Sequence, residues 1–297
     1  MTASSLSGCA LLDGSSRLEE ALEYLPADAT TVTFVDRAAI AERVGDGSPE
    51  TAYGTELSRW SEVMDEAAFD DSDVEWEAVA SGEGVGRVWK MSDDLDFDAV
   101  AADLEDAGYE RSGSADRPVF TVDLAAADEN GLVGGRYPAV WLTLALVPDE
   151  ELIVSGSEVS ALLDAVADHA DSLADAGSFG DLLDTAEDQD GLEYAGLTVA
   201  PPCGGSARPG PDGMALFVTP DEVTGVRLFA DDEAATADAE ELTSSLDEQA
   251  GDTGFDADLD VEADGRTVRA EAGPGDRRVM AQAWTRLDGP FACPPAT

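Results

Sequence analysis

The fold class follows from one stretch, Val74-Glu75-Trp76-Glu77-Ala78-Val79, which leads through Ser81-Gly82-Glu83-Gly84 into a second run, Val85 to Met91. Two runs rich in β-branched and aromatic residues around a glycine-containing turn are typical of a β-hairpin. The pattern recurs at residues 137–155 and 258–271. Because hairpins pair their strands antiparallel, the sequence predicts an α+β fold with mostly antiparallel sheets and packed helices.

Apolar residues at three- and four-residue spacing predict helices between these hairpins. The predicted helices are 18–25, 37–43, 57–64, 96–107, 157–174, a short one from 178, 232–249 and 277–287. The predicted strands are 30–36, 74–79, 85–91, 119–124, 137–147, 151–155, 192–200, 214–219, 225–229, 258–262 and 266–271.

The order strand, acidic helix, strand occurs twice, at residues 85–122 and 225–261. This repetition indicates two duplicated β-β-α-β units. We therefore divide the chain into a lipobox and tether (1–16), a first α+β unit (17–190) and a second α+β unit (191–297). Two loops are candidates for the boundary between the units, 184–191 and 201–213.

The chain is strongly acidic, with 65 Asp and Glu residues against 16 Lys and Arg and a formal net charge of −49. Self-repulsion of this size destabilises a compact state in dilute buffer, but at molar salt the screening length falls to about 3 Å. Lys90 is the only lysine. We interpret the acidity as adaptation to multimolar salt. The alternative, an acidic disordered tail, would collect the acids in one block, whereas here they are spread through amphipathic segments.

The negative charge also excludes nucleic acids as partners. A nucleic-acid-binding protein needs a basic stripe to neutralise phosphates, and this sequence has none. The body contains no run of 18 apolar residues, so the sequence predicts no membrane span there.

The motif Leu6-Ser7-Gly8-Cys9 has the form of a lipobox, where a secreted precursor is cut and lipidated on the cysteine. It predicts a membrane partner through lipidated Cys9, and a body on the outer face of the cytoplasmic membrane. The residues before the motif are too few for the charged and apolar regions of an export signal. Two alternatives stay open: a start set too far downstream, or a chance match in a cytosolic protein.

The other two cysteines, Cys203 and Cys293, lie in a Pro-Gly-rich loop and in the C-terminal tail. An even pair in an exported chain indicates one disulfide bond. Two free thiols are the alternative.

Three phrases carry a resemblance to a known group. They are Leu25-Pro26-Ala27-Asp28-Ala29-Thr30 running into the strand that ends at Asp36, Asp171-Ser172-Leu173-Ala174-Asp175 with Phe179, and Asp231-Asp232-Glu233-Ala234-Ala235. In these the chain resembles uncharacterised surface lipoproteins of halophilic archaea and, more distantly, exported bacterial proteins of the DUF3352 type. The resemblance spans most of the chain and implies a surface location and an α+β body, without a mechanism.

Several patterns that could carry chemistry have simpler explanations. Gly82-Glu83-Gly84-Val85-Gly86 is followed by a strand rather than by the helix that a phosphate-binding loop needs, so it indicates a hairpin turn. The alternating acids 256–264 lack the glycine and glutamate of a calcium loop and indicate the solvated face of a strand. The acids of Asp70-Asp71-Ser72-Asp73 could hold a cation only loosely.

The sequence also lacks the patterns of a zinc site and of a serine nucleophile, whereas any two of its 65 acids could form a catalytic pair. His169 is the only histidine and falls at the edge of a helix face, and no Gly-x-Ser-x-Gly turn occurs. Trp76, Trp89 and Trp141 fall on predicted strands and are expected in the core. We expect no catalytic site, no metal site and no cofactor.

The sequence therefore indicates a non-enzymatic binding or structural protein at the surface of a halophilic archaeon. Its rivals are a surface hydrolase that uses two carboxylates and, if the start is correct, a cytosolic protein.

Overall fold

The structure, a computed structural model, describes residues 14–44, 56–82, 84–157, 159–168, 172–186, 189, 191–201, 203, 210–249 and 259–293. The α-helices within these residues are α1 (Gly14–Glu23), α2 (Arg37–Val44), α3 (Phe97–Ala107), α4 (Val159–Asp168), α5 (Gly177–Ala186), α6 (Asp232–Gln249) and α7 (Arg277–Arg286).

The strands of the first part of the chain are β1 (Thr31–Asp36), β2 (Val74–Ser81), β3 (Val85–Met91), β4 (Glu110–Gly113), β5 (Pro118–Thr121), β6 (Leu132–Val133), β7 (Tyr137–Pro138), β8 (Thr143–Val147) and β9 (Leu152–Gly156). Those of the second part are β10 (Tyr194–Val199), β11 (Gly213–Val218), β12 (Val223–Leu228), β13 (Asp260–Asp264) and β14 (Thr267–Ala272).

Twelve of the strands form one sheet in the order β13-β14-β12-β11-β10-β1-β2-β3-β9-β8-β5-β4, and β6 pairs with β7 alone. Each pairing in the large sheet is antiparallel. The α+β class with antiparallel pairing is therefore confirmed. Since β1 pairs with β10, the sheet is continuous across residue 190. The division into units 17–190 and 191–297 stays a prediction.

Helices cover both faces of the sheet, because the strands carry apolar side chains on both sides. On the first face, α1, α4 and α5 share one apolar core in which Leu22, Leu162 and Leu182 join Phe34 and Phe217 of the strands. On the second face, α3 packs on β3, β8 and β9, whereas α6 and α7 pack on β11, β12 and β14. The second face thus has separate apolar cores at the two ends of the sheet.

Local signals fix the best-defined of these helices, α3. The side chain of Asp96 accepts hydrogen bonds from the backbone N–H groups of Asp98 and Ala99, which have no partner within the helix. Gly108 ends the helix with φ 108°, a backbone conformation that residues with a Cβ rarely adopt. Val100 and Leu104 lie on the face that is buried against the sheet.

The two repeated segments occupy matching positions. β3, α3, β4 and β5 follow one another in the first part of the chain, and β12, α6, β13 and β14 do so in the second. In both, the strand after the helix forms an outer edge of the sheet, and the next strand lies inside it. In the first part the hairpin β8-β9 is inserted between β3 and β5. The shared order is consistent with the duplication inferred from the sequence.

Three predicted elements are wrong in their extent. The strand predicted at 137–147 is divided into β7 and β8 by a turn, in which Trp141 N–H donates to the carbonyl of Pro138. The helix predicted at 157–174 does not extend to its predicted end: α4 is described over Val159–Asp168, and the backbone N–H of Leu173 donates to the carbonyl of Leu25. The helix predicted at 57–64 is a single 3-10 turn, Leu57–Arg59, followed by further turns. In each case tertiary burial of apolar side chains overrides the local periodicity.

Candidate functional site

The most unusual polar group in the described part of the chain is the carboxyl of Glu77, on the second face of the sheet. The register of β2 and β3 places Glu77 directly opposite Trp89. Its side chain is only 3% exposed. Trp89 Nε1 donates to Glu77 Oε2 at 2.5 Å, and the backbone N–H of Glu56 donates to Glu77 Oε1 at 2.6 Å. Both carboxyl oxygens therefore accept a hydrogen bond inside the protein.

Burial raises the pKa of Glu77 to about 7. The two N–H donors act in the opposite direction, and the negative charges of Glu56 and Asp71 raise the pKa further. The dominant cause is desolvation, which disfavours the charged form of a buried acid. Glu77 can consequently take up or lose a proton near neutral pH, as few carboxyl groups can.

Arg87, on the neighbouring strand β3, is paired with Glu56 rather than with Glu77. Arg87 lies two residues before Trp89 on β3 and forms a two-pronged ion pair with the side chain of Glu56. The second contact of the pair, Arg87 Nη2 to Glu56 Oε1, is 3.1 Å long. Glu56 thus links two strands: its backbone N–H binds Glu77 on β2, and its carboxylate binds Arg87 on β3.

Further aromatic and polar side chains of interest lie on β3, on β9 and in the chain before β8. The rings of Trp89 and Trp141 meet edge to face, with centroids 5.2 Å apart. Ser155 lies opposite Arg87 in the register of β3 and β9. Trp141 Nε1 and Ser155 Oγ are buried without a hydrogen-bond partner among the described residues. A buried polar atom without a hydrogen-bond partner carries a desolvation cost, so each of these two atoms destabilises the fold locally.

The site around Glu77 is not apparent from the sequence pattern. The alternation of acidic with apolar residues in Val74–Ser81 gives the pattern of a strand with one solvated face. Only the helices and turns that cover the second face place Glu77 in the interior. The one usable signal is the pair of tryptophans on adjacent strands, of which Trp89 supplies a donor.

A second buried polar cluster holds the C-terminal tail. Arg227, 3% exposed, donates through Nη1 to the carbonyls of Pro290 at 3.1 Å and Ala292 at 2.7 Å. Its Nη2 donates to Asp238 of α6 at 2.7 Å. The ring of Phe291 lies over Gly225 of β12, where a Cβ would come within 3.0 Å of it. Glycine is needed at this position so that the tail can approach the sheet.

Next to this cluster, Cys203 and Cys293 form a disulfide bond with their Cα atoms 5.2 Å apart. The predicted pairing is therefore confirmed. Cys9, the predicted lipidation site, lies outside the described residues, as does His169.

The glycine-rich segment proves to be the β2–β3 turn that the sequence predicted. A small cavity of about 40 Å³ lies beside it, next to Pro26 and Leu162. A Cβ on Gly86 would lie 3.0 Å from Leu162, and one on Gly82 would lie 3.0 Å from the carbonyl oxygen of Asp28. These glycines allow close packing of the turn, which is a structural role.

The other candidate groups are also accounted for. The side chain of Asp70 accepts from Ser72 N–H, and Asp73 accepts from Asp70 N–H, so this acidic cluster forms a capping box. Of the alternating acids, those within the described residues are exposed on the edge strand β13. Trp76, Trp89 and Trp141 are buried in the core, as predicted. The described residues contain no group of three or more His, Cys, Asp or Glu that could hold a metal ion.

Comparison with protein-family models, with curated proteins and with solved structures gives no significant match. Among the described residues, no helix is both long and apolar enough to cross a membrane.

Proposed function

We propose that this chain is an extracytoplasmic surface protein, anchored in the membrane by a lipid on Cys9, which serves as a non-enzymatic binding or structural module. The observation that carries the proposal is the Cys203–Cys293 disulfide bond. Disulfides form and persist in oxidising compartments and are rare in reducing cytosol. An external location agrees with the lipobox-like motif at residues 6–9.

The balance of charges supports the proposal that the protein works in multimolar salt, as at the surface of a halophilic archaeon. Basic residues that form ion pairs with acids in the described chain include Arg17, Arg37, Arg43, Arg87, Lys90, Arg111, Arg136, Arg227 and Arg266. With 65 acids against 16 basic residues, most carboxylates cannot have such a partner. Their mutual repulsion is weakened only by a high concentration of counterions.

A carboxylate-dependent hydrolase is the second candidate, and one observation favours it. Burial raises the pKa of Glu77 to about 7, and a carboxyl group whose pKa is raised in this way can act as the general acid of such enzymes. The structure argues against this use, because Glu77 is buried and Glu56 is bound to Arg87. We therefore favour the non-enzymatic function.

The proposal is tested by expressing the gene from its own locus, with the upstream DNA included. Detergent phase partitioning and the mass of the N-terminal peptide are measured for the wild type and for Cys9→Ser. We expect a detergent-phase protein whose mature chain begins at a lipid-modified Cys9, and a Cys9→Ser variant that loses the modification. An unmodified N-terminus on a water-phase protein, together with free thiols at Cys203 and Cys293, would refute the proposal.

A further inference from the structure

Residues 56–69 cover the second face of the sheet without being part of it. All of these residues are described, and none belongs to a strand. Their backbone hydrogen bonds include local turns, such as Trp60 N–H to Leu57 O and Met64 N–H to Trp60 O. Leu57, Met64 and Phe69 are buried in the apolar core formed with α3. A segment held by side chains and local turns can separate from a sheet without breaking its ladder.

The polar contacts between this segment and the rest of the described fold include one near each of its ends. Near its end, Ala68 N–H donates to Asp103 of α3 at 3.1 Å. At its start, Glu56 N–H donates to Glu77, and the Glu56 side chain binds Arg87. The first of these contacts ends on a carboxylate that also binds Arg136. The second ends on a buried carboxyl whose hydrogen bonds come from N–H groups of Glu56 and Trp89.

We propose that residues 56–69 form a lid over the second face of the sheet, and that Glu77 is the latch that loosens it when the Glu77 carboxyl loses its proton. With the lid closed, a proton on Glu77 removes the charge from the apolar interior. Without that proton, a carboxylate is buried while the neighbouring Arg87 is bound to Glu56. Opening the lid lets water solvate this carboxylate. The inference concerns motion of the fold and does not depend on the proposed surface location.

The charged groups around Glu77 do not reverse the effect of its deprotonation on the lid. Glu56 on the lid and Asp71 in the turn before β2 raise the pKa of Glu77 through their negative charges. Asp71 is paired with Arg37 of α2, and Glu56 with Arg87 of β3. Both cations are therefore held by other carboxylates, and burial remains the main cause of the raised pKa of Glu77.

The sign and size of the effect follow from linkage. The closed state binds the proton with a pKa of about 7, and the open state with the ordinary value of 4.5. Between these values the closed state holds more protons, so raising the pH favours opening. We expect the opening equilibrium to rise about tenfold per pH unit over this window, roughly 300-fold in all, and then to level off.

The test is native-state hydrogen exchange between pH 4.5 and 8 at molar salt, with each rate divided by the intrinsic exchange rate of its peptide. In the wild type, we expect protection of residues 56–69 to fall across the window, while protection of β11 stays nearly constant. The Glu77→Gln variant has no titrating group at position 77, so protection of its lid should not depend on pH. Glu262→Gln, a matched change on the exposed edge strand β13, should behave as the wild type.

Two outcomes would overturn the proposal. If protection of the lid in the wild type does not change with pH, the carboxyl is not a latch. If β11 loses protection with the same slope as the lid, ionisation of Glu77 weakens the whole fold and no lid opens. Both comparisons use the wild type alone, so they stand even if Glu77→Gln fails to fold.

Discussion

Removing the Cys203–Cys293 bond should destabilise the protein mainly through its unfolded state. The two cysteines are separated by 90 positions in the chain. For a loop of that size, the chain-entropy relation gives about 15 cal/mol/K, or roughly 4.6 kcal/mol at 25 °C. The folded state should change little, because Arg227 still binds the carbonyls of Pro290 and Ala292. For a chain of this length the loss corresponds to a Tm lower by roughly 7 °C.

The assay is guanidinium unfolding of the wild type and of the double variant Cys203→Ser/Cys293→Ser at equal salt concentration. We expect a lower midpoint and a steeper dependence on denaturant, because the unfolded chain without the cross-link exposes more surface. The wild type treated with a thiol reductant serves as the control and should match the variant. Equal unfolding free energies, to within about 1 kcal/mol, would show that the cross-link does not restrict the unfolded chain as the loop-entropy model requires.

Two further predictions concern charge. Asp238→Ala removes the carboxylate that binds Arg227 in the interior, and it should lower the free energy of unfolding by about 3–5 kcal/mol. The matched change Arg266→Ala breaks a half-exposed pair and should cost about 0–1 kcal/mol; equal losses in the two variants would contradict this explanation. Raising the salt from about 0.1 M to about 1 M shortens the screening length from about 10 Å to 3 Å and should raise the Tm measured by calorimetry. A Tm that falls or stays constant would show that surface repulsion does not limit stability.

Local features of this fold could be predicted from the sequence because short-range chemistry determines them. The hairpins β2–β3, β8–β9 and β13–β14 are joined by turns that contain Gly or Pro, and their strands pair with the nearest neighbour in the chain. The disulfide was predictable from the count of cysteines. The burial of Trp76 and Trp89 followed from their places on apolar strands, whereas Trp141 is buried from the turn before β8.

Features that depend on distant contacts could not be predicted in this way. β4 is polar and exposed throughout, as an edge strand can be, so it has no apolar alternation to reveal it. The buried state of Glu77 depends on residues 56–69, whose turns follow no regular period. The tail cluster depends on Gly225, whose role appears only when Phe291 lies above it.

The position of β1 has a consequence for the order in which the protein can fold. β1 lies in the middle of the sheet, and its partner on one side is β10, with Thr31 facing Thr198 at a separation of 167 residues. Until residue 199 of 297 has been synthesised, β10 is incomplete. The edge of β1 that pairs with β10 in the folded protein therefore stays unpaired. Pairing across such a distance is slow, and unpaired edges are prone to aggregate. Under the proposed surface location, the export route would have to shield that edge during synthesis or move the chain before it folds.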